Sequence, residues 1–431
     1  MKIWIINQYN SLPKHGHLNR HFNFAKGLKK LGHEPVLFLG SSPHNTDLQL
    51  VAGKARYAID EEAGFKTVLV RAVNYNHSMA KRIRSMMEFY RNVLKCAGDF
   101  KRPDVIIGSS AHPLNCVAAI KLAKRYGCPC ICEVRDLWPE SIVAYGVAGR
   151  RNPVVQMLYR LEKWIYKKAD ALIFTMEGGR DYIIDKGWDG EHGGPVDLQK
   201  VYHINNGVDL AQFDGDREGY PFADRDLEDP DTFKVVYCGS IRKANNVEQL
   251  VRCAKVIQNS PRCEQVKFIL FGDGDERDAL ERLCERENVK NVAFKGMVEK
   301  KYIPYILSKS NLNLLNYNNQ ASTARYGGSQ NKLFEYLASG RPICANLDDR
   351  YSVIERYNCG VSRAYPTVED YAAAVLSFAH MPQEEYEQRC KNARAAAAEY
   401  DFTRLTEKLL EVCEKAFQNK ERQKKTGEQG V

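Results

Sequence analysis

Residues 326–342 combine the side chains of an anion site with a nearby carboxylate. The glycines at 327–328 let the backbone take positive φ or approach a ligand closely, and Ser329 is a residue type that caps helices. The free N–H groups at a helix start attract anions, and Lys332 adds a cation beside them. Glu335, one turn further on, can accept hydrogen bonds from hydroxyls. A site that binds a phosphate next to a pair of hydroxyls would suit a nucleotide. The alternative interpretation of this segment is a surface loop followed by a capped helix.

The helix that follows this loop has recognisable limits. Leu333, Phe334 and Leu337 recur at the spacing of one helix face and are expected to pack on a core. Gly340 stands where a C′ glycine belongs, and Pro342 prevents further helix. The helix is therefore predicted to be short, with its start at the glycine loop.

A second group of suitable residues follows a strand predicted at 233–238. Gly239 and Ser240 leave room for an anion. Arg242 and Lys243 supply paired cations, and guanidinium and ammonium groups both bind phosphate oxygens. This turn therefore fits the diphosphate of a nucleotide.

The next predicted strand, 266–271, ends in a similar turn. Gly272 and Gly274 flank Asp273, and these glycines would allow a flat base to lie on the backbone. Two such turns at consecutive strand ends, with the loop at 326–342 after a third, predict a nucleotide diphosphate site in the second half of the chain.

In the first half of the chain, two strand ends carry candidate residues. The first predicted strand, 2–7, is followed by a loop with Gly16 and His17 before a helix, which is a ligand position in open sheets. The loop lacks the GxGxxG pattern, so a dinucleotide site is not supported. His112 follows a strand predicted at 104–108 and can hydrogen-bond a sugar hydroxyl or act as a base; the alternative is a capping or packed histidine.

A third strand end, after 129–134, places charged residues between a buried strand and a helix that starts at proline. Arg135, Asp136 and Glu140, with Glu133 in the strand, form either an ion-pair network or a polyol-binding edge. The strand also carries cysteines at alternating positions, 128, 130 and 132. Without a CxxC or histidine pairing, they are predicted to be small buried apolar side chains, and no metal site is expected.

Strand and helix patterns alternate over residues 2–186 and again from residue 233. Between these stretches the periodicity fades and Gly, Asp and Pro accumulate, which indicates a domain boundary. Repeated β–α units predict an α/β fold with a parallel sheet and right-handed crossovers in each half. We therefore predict two doubly wound, Rossmann-like domains, 1–208 and 209–401, facing each other across a cleft that holds the strand ends.

The composition of the 431-residue chain is that of a globular protein of two domains, with 44% hydrophobic and 27% charged residues. No apolar run reaches the length of a membrane span, and the apolar run at the N-terminus is too short for the core of a signal peptide. Thirteen cysteines, an odd number scattered over the chain, favour reduced thiols and a cytoplasmic protein.

The net charge of +9 is compatible with nucleic acid, anionic lipid or phosphorylated ligands. Basic residues cluster at 81–84, 150–151 and 163–168, and in the tail at 420–425. No zinc-finger, RRM or KH pattern accompanies them, so nucleic acid is not an expected partner. The clusters in the first half favour an anionic membrane surface, whereas the tail is expected to be a solvated end.

Several of these segments, in this order, resemble the nucleotide-sugar domain of GT-B glycosyltransferases of family 4. They are GlySerIleArgLys (239–243), PheGlyAspGlyAsp (271–275), LysGly (295–296) and AsnLysLeuPheGluTyrLeuAlaSerGlyArgPro (331–342). The segment 205–213, AsnAsnGlyValAspLeuAlaGlnPhe, resembles the hinge of that family, and 27–34, GlyLeuLysLysLeuGlyHisGlu, its first helix and turn. ValArgAspLeuTrpProGlu (134–140) resembles the branch that builds bacterial surface polysaccharides on lipid carriers.

The resemblance implies retaining glycosyl transfer by two Rossmann-like domains, without an essential metal or other cofactor. Arg242 and Lys243 would neutralise the leaving diphosphate, helped by the helix start near Ser329. Glu335 matches the second Glu of the family's Glu-x7-Glu motif and would bind the ribose hydroxyls. The first Glu falls at Gly327, so contact to the donor sugar must come from elsewhere.

The same resemblance assigns roles to the remaining candidates. His112 would lie near the transferred sugar and act with Arg242 and Lys243 in catalysis, and a C-terminal helix at about 402–420 would return to the first domain. The donor-binding residues are then Gly239, Ser240, Gly272, Asp273, Gly274, Gly328, Ser329, Asn331, Lys332 and Glu335. The acceptor-side residues are Gly16, His17, Arg135, Asp136 and Glu140.

We therefore expect a cytoplasmic glycosyltransferase at the inner face of the plasma membrane. It would move a sugar from a nucleotide-diphospho-sugar, with UDP as the favoured nucleotide, to a glycan or polyprenyl-linked acceptor in bacterial surface polysaccharide synthesis. One alternative is a sugar-nucleotide epimerase of the same fold, which needs acidic and histidine residues around the hexose in both domains. Another is a non-catalytic sugar-nucleotide-binding subunit, which the absent Glu at position 327 permits.

Overall fold

The chain forms two compact units. The computed structural model describes residues 1–16, 19–43, 46–75, 78–110, 112–144, 146–260, 265–318 and 324–428, so the candidate His17 lies outside the described residues. Unit 1 comprises Met1–Asn205 and Phe402–Val431, and unit 2 comprises Asn206–Asp401. The boundary between the units thus falls just before the predicted boundary at 208/209, within the segment that resembles the family hinge.

Unit 1 is built on a sheet that contains eight strands among the described residues, in the order β3-β4-β2-β1-β5-β6-β7-β8. The strands are β1 (Lys2–Asn7), β2 (Glu34–Gly40), β3 (Tyr57–Asp60), β4 (Lys66–Val70), β5 (Val105–Ser109), β6 (Cys130–Val134), β7 (Ala171–Phe174) and β8 (Val201–His203). Their pairings are parallel, as predicted, except that β3 runs antiparallel to β4 at the sheet edge. The sequence did not indicate β3, because this half-exposed edge strand has no run of apolar residues.

Helices connect these strands on the pattern that the sequence predicted. They are α1 (Arg20–Lys30), α2 (Met79–Cys96), α3 (Pro113–Tyr126), α4 (Glu140–Ala144), α5 (Pro153–Lys168) and α6 (Gly179–Asp185). Helix α3 shows why the limits were readable: Pro113 occupies its first turn, and Gly127 ends it with a φ of 61°. The N-cap of α3 is His112, which places this residue at the strand-to-helix connection after β5.

Unit 2 contains a parallel sheet that has six strands in the described part of the chain, in the order β11-β10-β9-β12-β13-β14. The strands are β9 (Phe233–Cys238), β10 (Val266–Phe271), β11 (Val292–Gly296), β12 (Leu312–Leu315), β13 (Ile343–Ala345) and β14 (Gly360–Ser362). The helices are α7 (Leu210–Gly219), α8 (Arg225–Glu228), α9 (Val247–Gln258), α10 (Arg277–Glu287), α11 (Ile303–Lys309), α12 (Asn331–Ala338), α13 (Val353–Arg356), α14 (Val368–Ala379) and α15 (Gln383–Glu399).

The last helix, α16 (Phe402–Glu428), belongs to unit 1, which confirms the predicted return of the C-terminal helix to the first domain. Its first turns pack on α1. The rings of Phe402 and Phe24 meet edge to face at 5.5 Å. A Cβ added to Gly27 would lie 2.5 Å from Thr406 Oγ1, so this glycine lets the two helices approach. Among the described helices, none is long and apolar enough to cross a membrane.

Each sheet reverses its strand order at one point. The reversal lies between β1 and β5 in unit 1 and between β9 and β12 in unit 2. The connections leave these two neighbouring strands toward opposite faces of the sheet, and a crevice opens beyond their carboxyl ends. The loops after β1, β5, β9 and β12 are therefore the favoured ligand positions in the two units.

Candidate functional site

The glycines after β9 and β10 in unit 2 are required by the packing of two turns on each other. Gly272 has a φ of 136°, and a Cβ added there would lie 1.8 Å from the Gly239 carbonyl oxygen. A Cβ on Gly274 would lie 2.2 Å from the Ile241 carbonyl oxygen. The neighbouring turn therefore requires glycine at both positions. Both glycines remain partly exposed, so the expectation that a base lies on this backbone stays a prediction.

Side-chain amides hold the turn after β9 in one conformation. The Asn245 Nδ2 donates to both the carbonyl and the hydroxyl oxygen of Ser240, each at 2.7 Å. From the other side of the strand reversal, Asn316 Nδ2 donates to the carbonyl oxygens of Asn245 at 3.0 Å and Asn246 at 2.6 Å. A turn fixed in this way does not have to be ordered when a ligand binds. The sequence offered no signal for these asparagines beyond their place at strand ends.

Arg242 and Lys243 are exposed on this fixed turn. Neither side chain forms an ion pair with any residue that the structure describes. Two cations without partners at the reversal point of a parallel sheet create a positive potential where a ligand is expected. This arrangement fits the predicted role of both residues in neutralising a diphosphate.

Lys332 places a third cation at the same turn. Its Nζ donates to the Tyr237 hydroxyl at 3.0 Å and lies over the rings of Tyr237 and Tyr317, 4.6 and 5.1 Å from their centroids. A Cβ on Gly239 would lie 2.6 Å from this Nζ, so the ammonium group touches the turn itself. Burial lowers the pKa of Lys332 to about 8, so an anion beside it would favour the charged form.

Helix α12 begins one residue later than predicted. The N-cap is Gln330, whose side chain makes no capping bond, and Asn331 is the first helical residue. The prediction that Ser329 caps the helix is wrong, because its hydroxyl oxygen accepts from the Asn206 N–H at 3.0 Å. Asn206 Nδ2 also donates to the Ser329 carbonyl oxygen at 2.7 Å, which ties the loop to the hinge-like segment.

The glycine loop before α12 has the backbone conformation that the sequence predicted at one of its two glycines. Gly327 has a φ of 87°, and Gly340 ends α12 with a φ of 64° as a C′ glycine. The Gly328 N–H donates to Asp349 Oδ2 at 3.2 Å. A carboxylate therefore adjoins the loop, although the chain has glycine where the family motif has its first Glu.

Glu335 lies one turn into α12 with 26% of its side chain exposed. Its nearest cation among the described residues is the Lys300 Nζ, at 3.4 Å from Oε1. A half-exposed pair at this distance is weak and can be exchanged for other partners. The carboxylate is therefore available to hydroxyl groups, as the predicted ribose contact requires.

In unit 1, Glu133 at the end of β6 forms a buried ionic cluster. Arg20 Nε donates to Oε1 at 2.9 Å, His21 Nε2 lies 2.7 Å from Oε2, and the Ser109 hydroxyl donates to Oε2 at 2.8 Å. Burial alone would raise the pKa of Glu133, but the charge of Arg20 and the bond to His21 hold it well below the usual range. For Glu133, the structure thus selects the ion-pair alternative, with partners that the sequence did not reveal.

Glu140 belongs to a separate ionic network. Its buried carboxylate accepts from Lys186 Nζ at 2.6 Å and the Tyr159 hydroxyl at 2.6 Å, and Arg150 pairs with it. These partners occupy the carboxylate that was expected to face an acceptor. Arg135 is half-buried, with no described partner for its Nε, and Asp136 is exposed. Of the acceptor-side candidates after β6, Asp136 has an exposed side chain, whereas the Nε of Arg135 is buried.

Two other candidate positions in unit 1 are explained by packing. A Cβ on Gly16 would lie 2.5 Å from Ser11 Oγ, so the loop after β1 has little room for a side chain there. The cysteines at 128, 130 and 132 are buried, as predicted for small apolar side chains. These observations give Gly16 a structural role and place the three thiols in the core.

His112 is fully buried at the reversal point of unit 1. Its Nε2 lies 2.7 Å from Gln8 Oε1, and Gln8 Nε2 donates to the Ser85 hydroxyl at 2.9 Å. Burial, aided by the charge of Arg82, lowers the pKa of His112 to about 3. The ring is therefore neutral near pH 7 and donates from Nε2 to Gln8. Its Nδ1 is then an acceptor with no described partner.

The amino-acid sequence matches two family models, one for each half of the chain. Residues 19–212 match Glycosyltransferase Family 4, and residues 232–380 match Glycosyl transferases group 1. WcaI of Escherichia coli (strain K12), named a colanic acid biosynthesis glycosyl transferase, is 22% identical over 50% of this chain and 51% of its own length. WbjE of Pseudomonas aeruginosa, named a glycosyltransferase, is 21% identical over 64% of this chain and 65% of its own.

Solved structures with the same fold extend over almost the whole chain. Sucrose-phosphate synthase from Thermosynechococcus elongatus superposes with a TM-score of 0.71 at 18% identity, covering 97% of this chain and 99% of that one. Anabaena HepE in complex with UDP gives a TM-score of 0.66 at 15% identity, covering 96% and 100%. With two doubly wound units, the chain thus has the GT-B fold. It belongs to the family 4 glycosyltransferases, as the motifs at its strand ends predicted.

Proposed function

We propose that this chain is a retaining glycosyltransferase that uses a UDP-sugar and a glycan or polyprenyl-linked acceptor in bacterial surface polysaccharide synthesis. The observation that carries the proposal is the group of three cations at one fixed turn, the exposed Arg242 and Lys243 and the partly buried Lys332. Such a group stabilises a leaving diphosphate, and an oxocarbenium-like centre then needs little help from a protein nucleophile.

The donor assignment is supported by the position of the site and by a structural neighbour. The turn lies at the strand reversal of unit 2, and Glu335 is half-exposed one turn into α12, where it would accept from the ribose hydroxyls. HepE has the same fold, and its crystal structures are in complex with UDP, with UDP and glucose, or with UDP-glucose. The names of WcaI and WbjE support a polysaccharide glycosyltransferase.

The donor sugar would be held without the first Glu of the family motif. Asp349 supplies a carboxylate at the loop in question, where it accepts from the Gly328 N–H. We assign the sugar hydroxyls to Asp349 and to the loop backbone at 327–330. The side chain of Asp349 is shorter than that of the family's Glu and comes from a different strand connection. It would therefore reach different hydroxyls of the sugar, which changes the sugar that the site selects.

His112 would contribute as a neutral acceptor rather than as a base. A ring with a pKa of about 3 gains a proton too rarely near pH 7 for general-base catalysis. Its buried Nδ1, which has no described partner, would instead accept a hydrogen bond from a sugar hydroxyl. In the retaining reaction the acceptor attacks from the face of the leaving group, and a phosphate oxygen of the released UDP takes the acceptor's proton.

Arg135 and Asp136 would face the acceptor, and the lipid carrier would hold that acceptor at the inner face of the plasma membrane. A turnover assay tests the proposal. The protein is incubated with a panel of labelled nucleotide sugars and a membrane extract, and label should appear in the lipid fraction and be lost in an Arg242→Gln/Lys243→Gln variant. Epimerised nucleotide without transfer would establish the epimerase alternative, and UDP binding without any chemistry would establish the binding subunit.

A further inference from the structure

Helix α5 carries a row of apolar side chains that are exposed except for the half-buried Leu161. Val154, Met157, Leu161 and Trp164 follow the i, i+3, i+7, i+10 spacing of one helix face. Val154 and Met157 are each 58% exposed, and Trp164 is 36% exposed. The buried row of the same helix, Val155, Tyr159, Glu162, Ile165 and Tyr166, packs into unit 1. The exposed side chains of the apolar row therefore do not contribute to the core of unit 1.

A second row on α5 is basic, with Arg160 and Lys167 exposed and Lys163 half-buried. Arg160, Lys163 and Lys167 repeat the i, i+3, i+7 spacing and lie beside the apolar row. Arg151 and Lys168 add cations at the two ends of the helix. None of these five side chains forms an ion pair within the described part of the chain.

The exposed surface of α5 contains no compensating negative charge. The one acidic residue of the helix, Glu162, is buried and accepts from the Tyr166 and Tyr182 hydroxyls at 2.7 and 2.9 Å. Burial raises the pKa of Glu162 to about 8, so this carboxyl group is mostly neutral near pH 7. The helix thus presents an apolar row and a basic row, with buried neutral groups behind them.

We propose that this face of α5 docks on an anionic lipid surface. Apolar side chains beside a row of Lys and Arg are the pattern of helices that lie in a membrane interface, where the apolar row enters the headgroup boundary and the cations meet anionic lipid. A second copy of the chain is disfavoured as the occupant, because a two-fold contact would bring the basic rows together. The inference deepens the proposed function, since a lipid-linked acceptor resides at such a surface.

Vesicle binding tests this surface without donor or acceptor. The full chain is mixed with phosphatidylcholine vesicles that contain or lack phosphatidylglycerol, and the bound fraction is measured by sedimentation. We expect binding to the anionic vesicles, weakened by salt, and none to the neutral ones. The emission of Trp164 should shift to the blue on binding, and a Trp164→Phe variant should lose most of that shift while it still binds.

Variants distinguish vesicle binding through the two rows of α5 from attraction by the net charge of the whole protein. Arg160→Gln/Lys163→Gln/Lys167→Gln should weaken binding about fivefold per cation, or roughly a hundredfold together. Val154→Ser/Met157→Ser should weaken binding by more than about tenfold. The matched control, Arg282→Gln/Arg286→Gln/Lys290→Gln, removes the same charge from exposed positions in unit 2 and should bind like the wild type.

The proposal would be overturned if the wild-type protein stayed in solution with anionic vesicles, or if the basic-row and control variants lost equal amounts of binding. It would also be overturned if the wild-type protein did not bind vesicles but formed a dimer that the Val154→Ser/Met157→Ser variant cannot form. UDP affinity, measured on the same variants, should remain that of the wild type. Failure of vesicle binding with intact UDP binding would therefore reject this surface and leave the donor assignment standing.

Discussion

Removal of the two exposed cations in unit 2 gives the sharpest prediction about the donor site. Arg242→Gln and Lys243→Gln each keep much of the side-chain length while removing one positive charge from a turn that Asn245 and Asn316 hold in place. Because neither cation has an ion-pair partner in the described structure, the substitutions leave no unpaired carboxylate behind. Any loss of affinity can therefore be attributed to the ligand.

The expected size of the loss follows from charge-assisted hydrogen bonding. A hydrogen bond to a charged group contributes about 1.5–3 kcal/mol, and exposed groups fall at the lower end because water screens them. A loss of about 1.5 kcal/mol raises the Kd for UDP roughly tenfold per residue. The double variant should lose about a hundredfold, or less if the two cations share one phosphate and are coupled.

Titration calorimetry with UDP, UMP and uridine measures this loss and assigns it to a phosphate. The loss should be largest for UDP, smaller for UMP and absent for uridine. Arg286→Gln, an exposed cation in the last turn of α10, serves as the control and should not change any of the three affinities. An unchanged Kd for UDP in the double variant, or an equal loss for uridine, would refute the assignment of these residues to the diphosphate.

Four further predictions concern the surroundings of this site. Glu335→Ala should weaken UDP binding about tenfold and leave the affinity for 2′-deoxy-UDP closer to that of the wild type, and unchanged calorimetry would remove the ribose contact. Because the Lys332 cation is present below its pKa of about 8 and lost above it, UDP affinity should fall as the pH rises from 7 to about 9.5, and Lys332→Met should abolish this dependence in the same titrations. Gly272→Ala should cost about 2–4 kcal/mol of stability, seen as a Tm lowered by roughly 5–15 °C, since the added Cβ would meet the Gly239 carbonyl at positive φ; an unchanged Tm would contradict the close packing of the turns. His112→Ala should reduce kcat more than UDP affinity, with turnover like that of the wild type excluding the residue from the site.

Many of the strands and helices in the two units could be predicted from the sequence, because the signals that define them are local. The strands β1, β9 and β10 have the predicted limits, since a short apolar run is a signal that acts within a few residues. The edge strand β3 was not readable, because its pairing with β4 decides its conformation and its own residues are half-exposed. Non-local pairing leaves no periodic pattern in such a strand.

The residue types at the candidate donor site were apparent from the sequence, but the contacts among these residues were not. The motifs indicated a turn with cations after β9 and a short helix that carries Glu335, and the structure contains both. The binding roles of these residues stay predictions. The motifs did not reveal that Ser329 bonds to Asn206, which is far away in sequence, or that the neighbouring turn packs against Gly272 and Gly274 where a Cβ would lie. These contacts join residues from different β–α units, so they depend on tertiary packing rather than on local spacing.

In unit 1, burial decided roles that residue type left open. From the sequence, Glu133 and Glu140 were each expected to be either part of an ion-pair network or part of a polyol-binding edge. In the structure, both carboxylates pair with cations. His112 was correctly placed at a strand end, but its complete burial and lowered pKa could not be inferred from one histidine before a proline. Burial of a charge depends on every element that packs around it, which a single sequence does not show.

A structure of the full chain with a bound UDP-sugar tests the central claim most directly. We predict the diphosphate within hydrogen-bond distance of Arg242, Lys243 and Lys332, with the ribose hydroxyls on Glu335. The sugar should lie against the loop at 327–330, with Asp349 in contact with its hydroxyls. A nucleotide bound elsewhere in the chain, or a diphosphate that none of the three cations touches, would contradict the account.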